Sequence, residues 1–256
     1  MQVWGITMTL RAHLKSMAVA GAVLLSGLAA TPTASAGDWG RSPGGYGYNW
    51  SGLYFGGGLG AAWGDSSFVF TNGNPVASNP IDFDSAFAGG VHLGLQHQWG
   101  NFVLGIETSV LITDLSGTAT CPNPAFSCSS ELDWVWMIGP RLGFAANNWL
   151  FYGTGGYALG ALDTTTATVA TGVQFDSGHE RHSGWYIGGG LEWGITHNIS
   201  FGIDYKHIEL DTDLHESSLG GGNPARDRDV DATIDVVQAR LTLRLAREPE
   251  ARAPLK

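Results

Sequence analysis

GWYIGGGLEWGITHNISFGIDYKHIEL, residues 184–210, is the stretch that decides the fold. Trp185, Ile187, Leu191, Trp193 and Ile195 alternate with Tyr186, Gly188, Gly190, Glu192 and Gly194. After Thr196-His197-Asn198 the pattern resumes, with Ile199, Phe201, Ile203 and Tyr205 against Ser200, Gly202, Asp204 and Lys206. A period of two puts successive side chains on opposite faces of a strand, so the stretch reads as two strands and a tight turn. Its less apolar face is mostly glycine with a rare charge. The wet side of a soluble sheet would carry many Lys, Glu and Thr instead.

The same pattern recurs outward from this hairpin. Strands are expected at about 52–63, 85–99, 101–112, 132–145, 149–162 and 232–245. In the fourth, Leu132, Trp134, Trp136, Ile138, Leu142 and Phe144 share the bulky face. The fifth, WLFYGTGGYALGAL, is apolar on both faces near its start, and its orientation stays open. Three connections are short, around Gly100, at Ala146-Asn147-Asn148 and at Thr196-His197-Asn198. Four are long and polar, at about 64–83, 113–131, 163–182 and 211–231. Long and short alternate strictly, as in an even-stranded meander with both termini on one side.

The first residues carry a different message. Arg11, His13 and Lys15 precede an apolar run from Met17 to Ala30, and Ala34-Ser35-Ala36 follows. A basic region, a short apolar core and an A-x-A site make a signal peptide, expected over 1–36. The run is too short for a membrane anchor of about 20 residues. The remainder keeps 11 basic residues against 23 acidic ones, hence a formal charge of −12. That balance argues against nucleic acid as a partner, because binding phosphates needs basic clusters. Beyond the signal peptide no stretch of 18 apolar residues exists. Export without a spanning helix leaves a soluble exported protein or a closed barrel in an outer membrane.

The aromatic residues favour the membrane. Trp50, Trp99, Phe102, Phe144, Trp149, Trp193 and Phe201 sit beside the chain termini or the short turns. Trp63, Phe87, Trp134, Trp136, Trp185 and Tyr205 sit towards the long connections. Two belts at the two strand ends are what membrane interfaces select. The glycine face is also too poor in charge to be a solvated exterior, and a narrow interior needs small residues. The bulky face is therefore expected outside. The expected fold is an eight-stranded antiparallel transmembrane β-barrel, an up-and-down meander with long extracellular loops and short periplasmic turns. A lipocalin-like soluble barrel explains the alternation but neither the two belts nor the loop asymmetry.

Three blocks, WSGLYFGGGLGAAWG (50–64), RLGFAANNWLFYGTGGYALG (141–160) and the opening stretch, carry a family resemblance. They resemble the small porin-family, opacity-protein-like outer membrane β-barrels of Gram-negative bacteria, those of α-proteobacteria most nearly. The resemblance covers roughly residues 50–245. It implies outer-membrane residence and a structural or surface-interaction role rather than a defined chemistry. Such barrels usually close on an aromatic residue, whereas this chain ends its last strand near Leu245 and continues AREPEARAPLK. The expected organisation is signal peptide 1–36, Gly-rich periplasmic linker 37–49, barrel 50–245 and periplasmic tail 246–256, with both termini periplasmic. The lipopolysaccharide outer leaflet is the expected lipid partner, with a host or environmental ligand at the extracellular loops. No cofactor, metal or catalytic residue is expected, and the oligomeric state is left open.

Candidate chemistry is sparse. Seven charges share the inward parity: Glu107, Arg141, Glu192, Asp204, Lys206, Arg240 and Arg244. Three are acidic and four basic, which suggests a paired network plugging the lumen with Glu107 and Arg141 at its centre. A selectivity constriction, making the barrel a narrow diffusion pore, is the alternative, although eight strands leave room for little beyond side chains. Cys121 and Cys128, two cysteines in one loop of an exported chain, read as a disulfide. Gly153-Thr-Gly155-Gly-Tyr-Ala158 has the letters of a dinucleotide fingerprint but no following helix. A lipid-modifying enzyme would need a nucleophile and base in reach. His207, Glu209 and Ser183 share outward parity, but His207 falls opposite about residue 188, well below Ser183. Asp211, Asp213, Glu216, Asp227, Asp229 and Asp231 lack complete calcium-loop spacing and read as a solvated loop.

Overall fold

The computed structural model describes residues 48–70, 78–121, 123–215 and 228–245. The expected signal peptide, residues 37–47 of the linker, the tail 246–256, and Glu216 and Asp227 lie outside the described residues. The strands are β1 (Gly52–Phe70), β2 (Ser78–Trp99), β3 (Phe102–Thr120), β4 (Phe126–Ala146), β5 (Trp149–Thr168), β6 (Gln174–Thr196), β7 (Ile199–His215) and β8 (Arg228–Leu245). Each pairs antiparallel with the next, and β1 pairs with β8, which closes the barrel.

The three short turns span two residues each, Gly100-Asn101, Asn147-Asn148 and His197-Asn198. Gly100 has φ +60° and Asn147 φ +55°. Gly and Asn are the residue types that take this left-handed conformation most readily. These turns define one end of the barrel, called the turn end; the opposite end is the ribbon end.

The bulky face is the outer face. Leu59 is 62% exposed, Phe87 66% and Phe102 69%, and they belong to a belt of large apolar side chains around the closed sheet. Such a belt is the surface that hydrocarbon requires of a barrel. The fifth strand resolves with Trp149, Phe151 and Tyr157 outward and Leu150, Tyr152, Thr154 and Ala158 inward.

The structure corrects three expectations. The strands run far into the long connections, to Phe70, Thr120, Thr168 and His215. There the alternation persists with its polarity reversed. Asp65, Asp114 and Thr233 face out, while Ile81, Leu111, Leu115, Leu162, Ile208, Leu210 and Ile234 pack into one buried cluster inside. Water outside and a dry interior demand this reversal once the strands leave lipid.

Second, Leu132 points inward and is fully buried, unlike Trp134. A register shift between Leu132 and Trp134 separates them, as the extra residue of a bulge does. Similar shifts lie at Ala62/Gly64, Ile112/Leu115 and Leu210/Asp213, near the level where polarity reverses. Third, Trp50 does not belong to the outer belt. It is 0% exposed and sits inside the turn end, in a cluster with Tyr48, Val103, Ala145, Leu150 and Tyr152.

The strands are steeply staggered. Pairing traced once round from Gly52 passes Gln96, Gly105, Arg141, Thr154, Gly188, Lys206 and Val236, and returns to Ala62 instead of Gly52. Closure with this stagger fixes the strand tilt and a bore that side chains can fill.

Candidate functional site

The lumen is the site to which the sequence points. The inward glycines make room in it. A Cβ at Gly94 would collide with the Tyr54 ring, and one at Gly190 would lie 2.6 Å from Tyr152 Oη. One at Gly202 would lie 2.6 Å from Glu192 Cγ, and one at Gly188 would lie 3.0 Å from Lys206 Cγ. Each of these four polar side chains thus lies over a glycine of a neighbouring strand.

All seven charged residues are buried, none more than 4% exposed. Arg240, on β8, donates from Nη1 to Glu107 Oε1 at 3.0 Å and from Nη2 to Oε2 at 2.8 Å. The same Nη1 lies 2.8 Å from Asp204 Oδ2, which also receives Lys206 Nζ at 2.6 Å. Arg141 donates to Glu192 Oε1 at 2.6 Å and to Glu107 Oε2 at 3.3 Å. Glu107 and Arg141 do meet, but Glu107 is the node, and its two-toothed partner comes from β8 across the bore. Paired forks of this kind are the stronger form of a guanidinium–carboxylate contact.

Neutral groups complete the lattice. Tyr54 donates to Glu107 Oε2 at 2.9 Å, and Ser200 to Glu192 Oε2 at 3.2 Å. Arg141 stacks over the Tyr152 ring, with Cζ 3.7 Å from its centroid. His92 Nε2 lies 2.9 Å from Thr242 Oγ1. Sequence reasoning about charges overlooked these partners. Inward parity was the available signal for Tyr54 and Ser200, whereas Tyr152 lay on the strand that could not be oriented. Arg244 is apart from the lattice: its guanidinium faces the rings of Tyr48 at 5.1 Å and Trp50 at 4.8 Å.

On the outer face, Trp99, Trp149 and Trp193 lie at the turn end, with Trp149 and Trp193 stacked at 6.0 Å. Trp63 and Trp185 are exposed and Trp134 half-buried towards the ribbon end. His207 pairs in register with Ile187, and its Nδ1 lies 2.8 Å from Asp235 Oδ1, which also accepts from Tyr205 Oη at 2.7 Å. Ser183 is four residues above Ile187 on β6, roughly 13 Å along a strand at about 3.3 Å per residue. A nucleophile–base hydrogen bond is out of reach at that separation. Cys121 and Cys128 form a disulfide at the tip of the β3–β4 hairpin, both buried in the ribbon-end cluster. Among the described residues, no group of three or more His, Cys, Asp or Glu is placed to hold a metal ion.

A family model agrees with this architecture. The family model described as outer membrane protein beta-barrel domain matches residues 20–236. The 31 kDa outer-membrane immunogenic protein of Brucella melitensis is 27% identical over 173 residues, covering 64% of this chain and 72% of the relative. The 22 kDa outer membrane protein of Rhizobium leguminosarum bv. viciae is 26% identical over 161 residues, covering 60% and 70%. Among solved structures, the Escherichia coli outer membrane protease OmpT superposes with a TM-score of 0.48 at 8% identity, covering 76% of this chain and 97% of that one.

Proposed function

Because the chain belongs to the outer membrane protein beta-barrel domain family, we propose that it is a structural and surface-interaction barrel with a closed lumen, neither a pore nor an enzyme. The observation that carries this reading is the lattice joining Glu107, Arg240, Asp204, Arg141 and Glu192 across the bore. An apolar plug from Leu111 to Ile234 lies towards the ribbon end of it. A solute would have to displace both layers. In this reading the short turns and both termini face the periplasm, and the ribbons stand in the lipopolysaccharide leaflet and beyond it. Their polar outer faces are available to a host or environmental ligand. A relative named as an immunogenic protein supports that exposure.

Planar-bilayer recording tests the closed lumen. The wild type should show little or no conductance, and so should the Glu107→Gln/Arg240→Met double variant, because the apolar layer still closes the bore. A large steady conductance in the wild type would replace this reading with the narrow diffusion pore.

A further inference from the structure

Where the ion lattice meets the apolar layer, side chains leave a small space. It is a cavity with about 10 Å³ open to the centre of a water molecule. Arg240 and Lys206 border it from the lattice, and Leu111 borders it from the apolar layer. Gly58 of β1, Gly90 of β2 and Ser109 of β3 form its wall. The two glycines create the space by having no side chain, and Ser109, paired in register with His92, brings a hydroxyl to it.

The amide of Gln238, on β8, borders the same cavity. Gln238 is 6% exposed, and its Nε2 has no hydrogen-bond partner among the described residues. The amide lies across both glycines of the wall. A Cβ on Gly58 would stand 3.4 Å from Gln238 Oε1, and one on Gly90 would stand 3.5 Å from Nε2. The neighbouring cations cannot serve this group, because guanidinium and ammonium only donate. They are also engaged, Arg240 with Glu107 and Asp204, and Lys206 with Asp204. A buried amide left bare is costly, and nearly all such groups in folded proteins have a partner.

Size selects the partner. On this measure roughly 10–15 Å³ is the least that admits one water molecule, provided that polar groups border the site. A halide ion is larger than water, and there is no space for a second molecule. Chemistry selects the same partner. Water accepts and donates together, so one molecule takes the Gln238 N–H and gives a hydrogen bond to the Ser109 hydroxyl oxygen.

We propose that this cavity is a binding site for one water molecule, held by the Gln238 amide and the Ser109 hydroxyl. The water joins β8 to the β3 wall at the level where the lattice gives way to the apolar layer. It completes the hydrogen bonding of the lumen at a point that no side chain reaches. The site goes beyond the closed-lumen reading and stands on the cavity and its lining, whether or not the barrel conducts.

Two measurements test it. In crystals of the wild-type barrel, ordered water density should appear within hydrogen-bond reach of Gln238 and Ser109. Soaking in bromide should give no anomalous peak there. A bromide peak would make the occupant an anion, and absent density would make the cavity dry; either overturns the proposal. The second measurement is thermal unfolding in detergent, read by heat-modifiable mobility. Gly58→Ala puts a methyl group at the cavity wall at ordinary contact distances, the nearest being 3.4 Å to Ala239 O and to the Gln238 amide. Displacing a bound water by a group that cannot replace its bonds is unfavourable, whereas filling a dry void is favourable. The melting-temperature shift from Gly58→Ala should therefore be more negative in the wild type than in Gln238→Met, where no amide needs the water. Comparing the two backgrounds cancels the general effect of replacing a glycine. An equal shift in both, or a more positive one in the wild type, overturns the proposal. Should Gln238→Met not fold, the wild-type crystals decide alone.

Discussion

At the scale of single residues, the lumen is a matter of partners and of space. Glu107 accepts from Tyr54, Arg141 and Arg240, so removing either side of the Glu107–Arg240 fork strands a buried charge. Glu107→Gln and Arg240→Met should each cost about 3–5 kcal/mol in denaturant unfolding of the lipid-embedded barrel. The double variant should cost less than the sum of the two, since the pair is lost together. Additive singles would dissolve the proposed coupling. Space is tested by two glycines of opposite parity. Gly94 faces the Tyr54 ring, whereas a Cβ on outward Gly153 meets only Gly188 O at 3.9 Å. Gly94→Ala should therefore destabilise by roughly 1–3 kcal/mol through overpacking. Gly153→Ala should be close to neutral, as changes at open surface positions are. The two melting temperatures check the contrast.

At the scale of elements, each strand is divided by a change in what its outer face touches. On β8, Leu241 and Val237 face out within the apolar belt, while Thr233 lies beyond it opposite Glu209 of β7. Ile203→Arg on β7, midway between the belt residues Phe201 and Tyr205, should cost roughly 2–4 kcal/mol. Thr233→Arg should change stability by no more than about 0.5 kcal/mol. Equal costs, measured by unfolding from lipid vesicles, would misplace the boundary. The register shifts at Ala62/Gly64, Ile112/Leu115, Leu132/Trp134 and Leu210/Asp213 sit close to this boundary. A bulge also adds local twist, which suits strands passing from lipid to water. The hairpin beyond is pinned by Cys121–Cys128, a short closed loop worth about 2–3 kcal/mol in the chain-entropy account.

At the scale of the whole molecule, closure with stagger decides which residues meet. The path that begins at Gly52 and ends at Ala62 tilts every strand, so residues at equal counts from their turns are not at equal heights. Orientation in the envelope is the remaining whole-molecule property. In a variant lacking Cys121 and Cys128, a cysteine at Thr171, between β5 and β6, should label from outside intact cells. One at Asn148, in a two-residue turn, should not. The reverse pattern would invert the barrel.

The sequence by itself determined the strand count, the order of long and short connections, the outward bulky face and the inward parity of all seven charges. These follow from period-two alternation and turn chemistry, which are local. The extent of the strands was hidden because polar residues at 64–83 and 113–131 resemble loops by composition, although their alternation continues. Only the tertiary structure decided that Arg240 holds Glu107, that Leu132 turns inward at a bulge, and that Trp50 lies inside the barrel. Those facts depend on stagger, on one-residue register shifts and on where a segment outside the strands folds. None of these is a local property of the chain: each is set by how strands pair with one another or by where the segment before β1 docks.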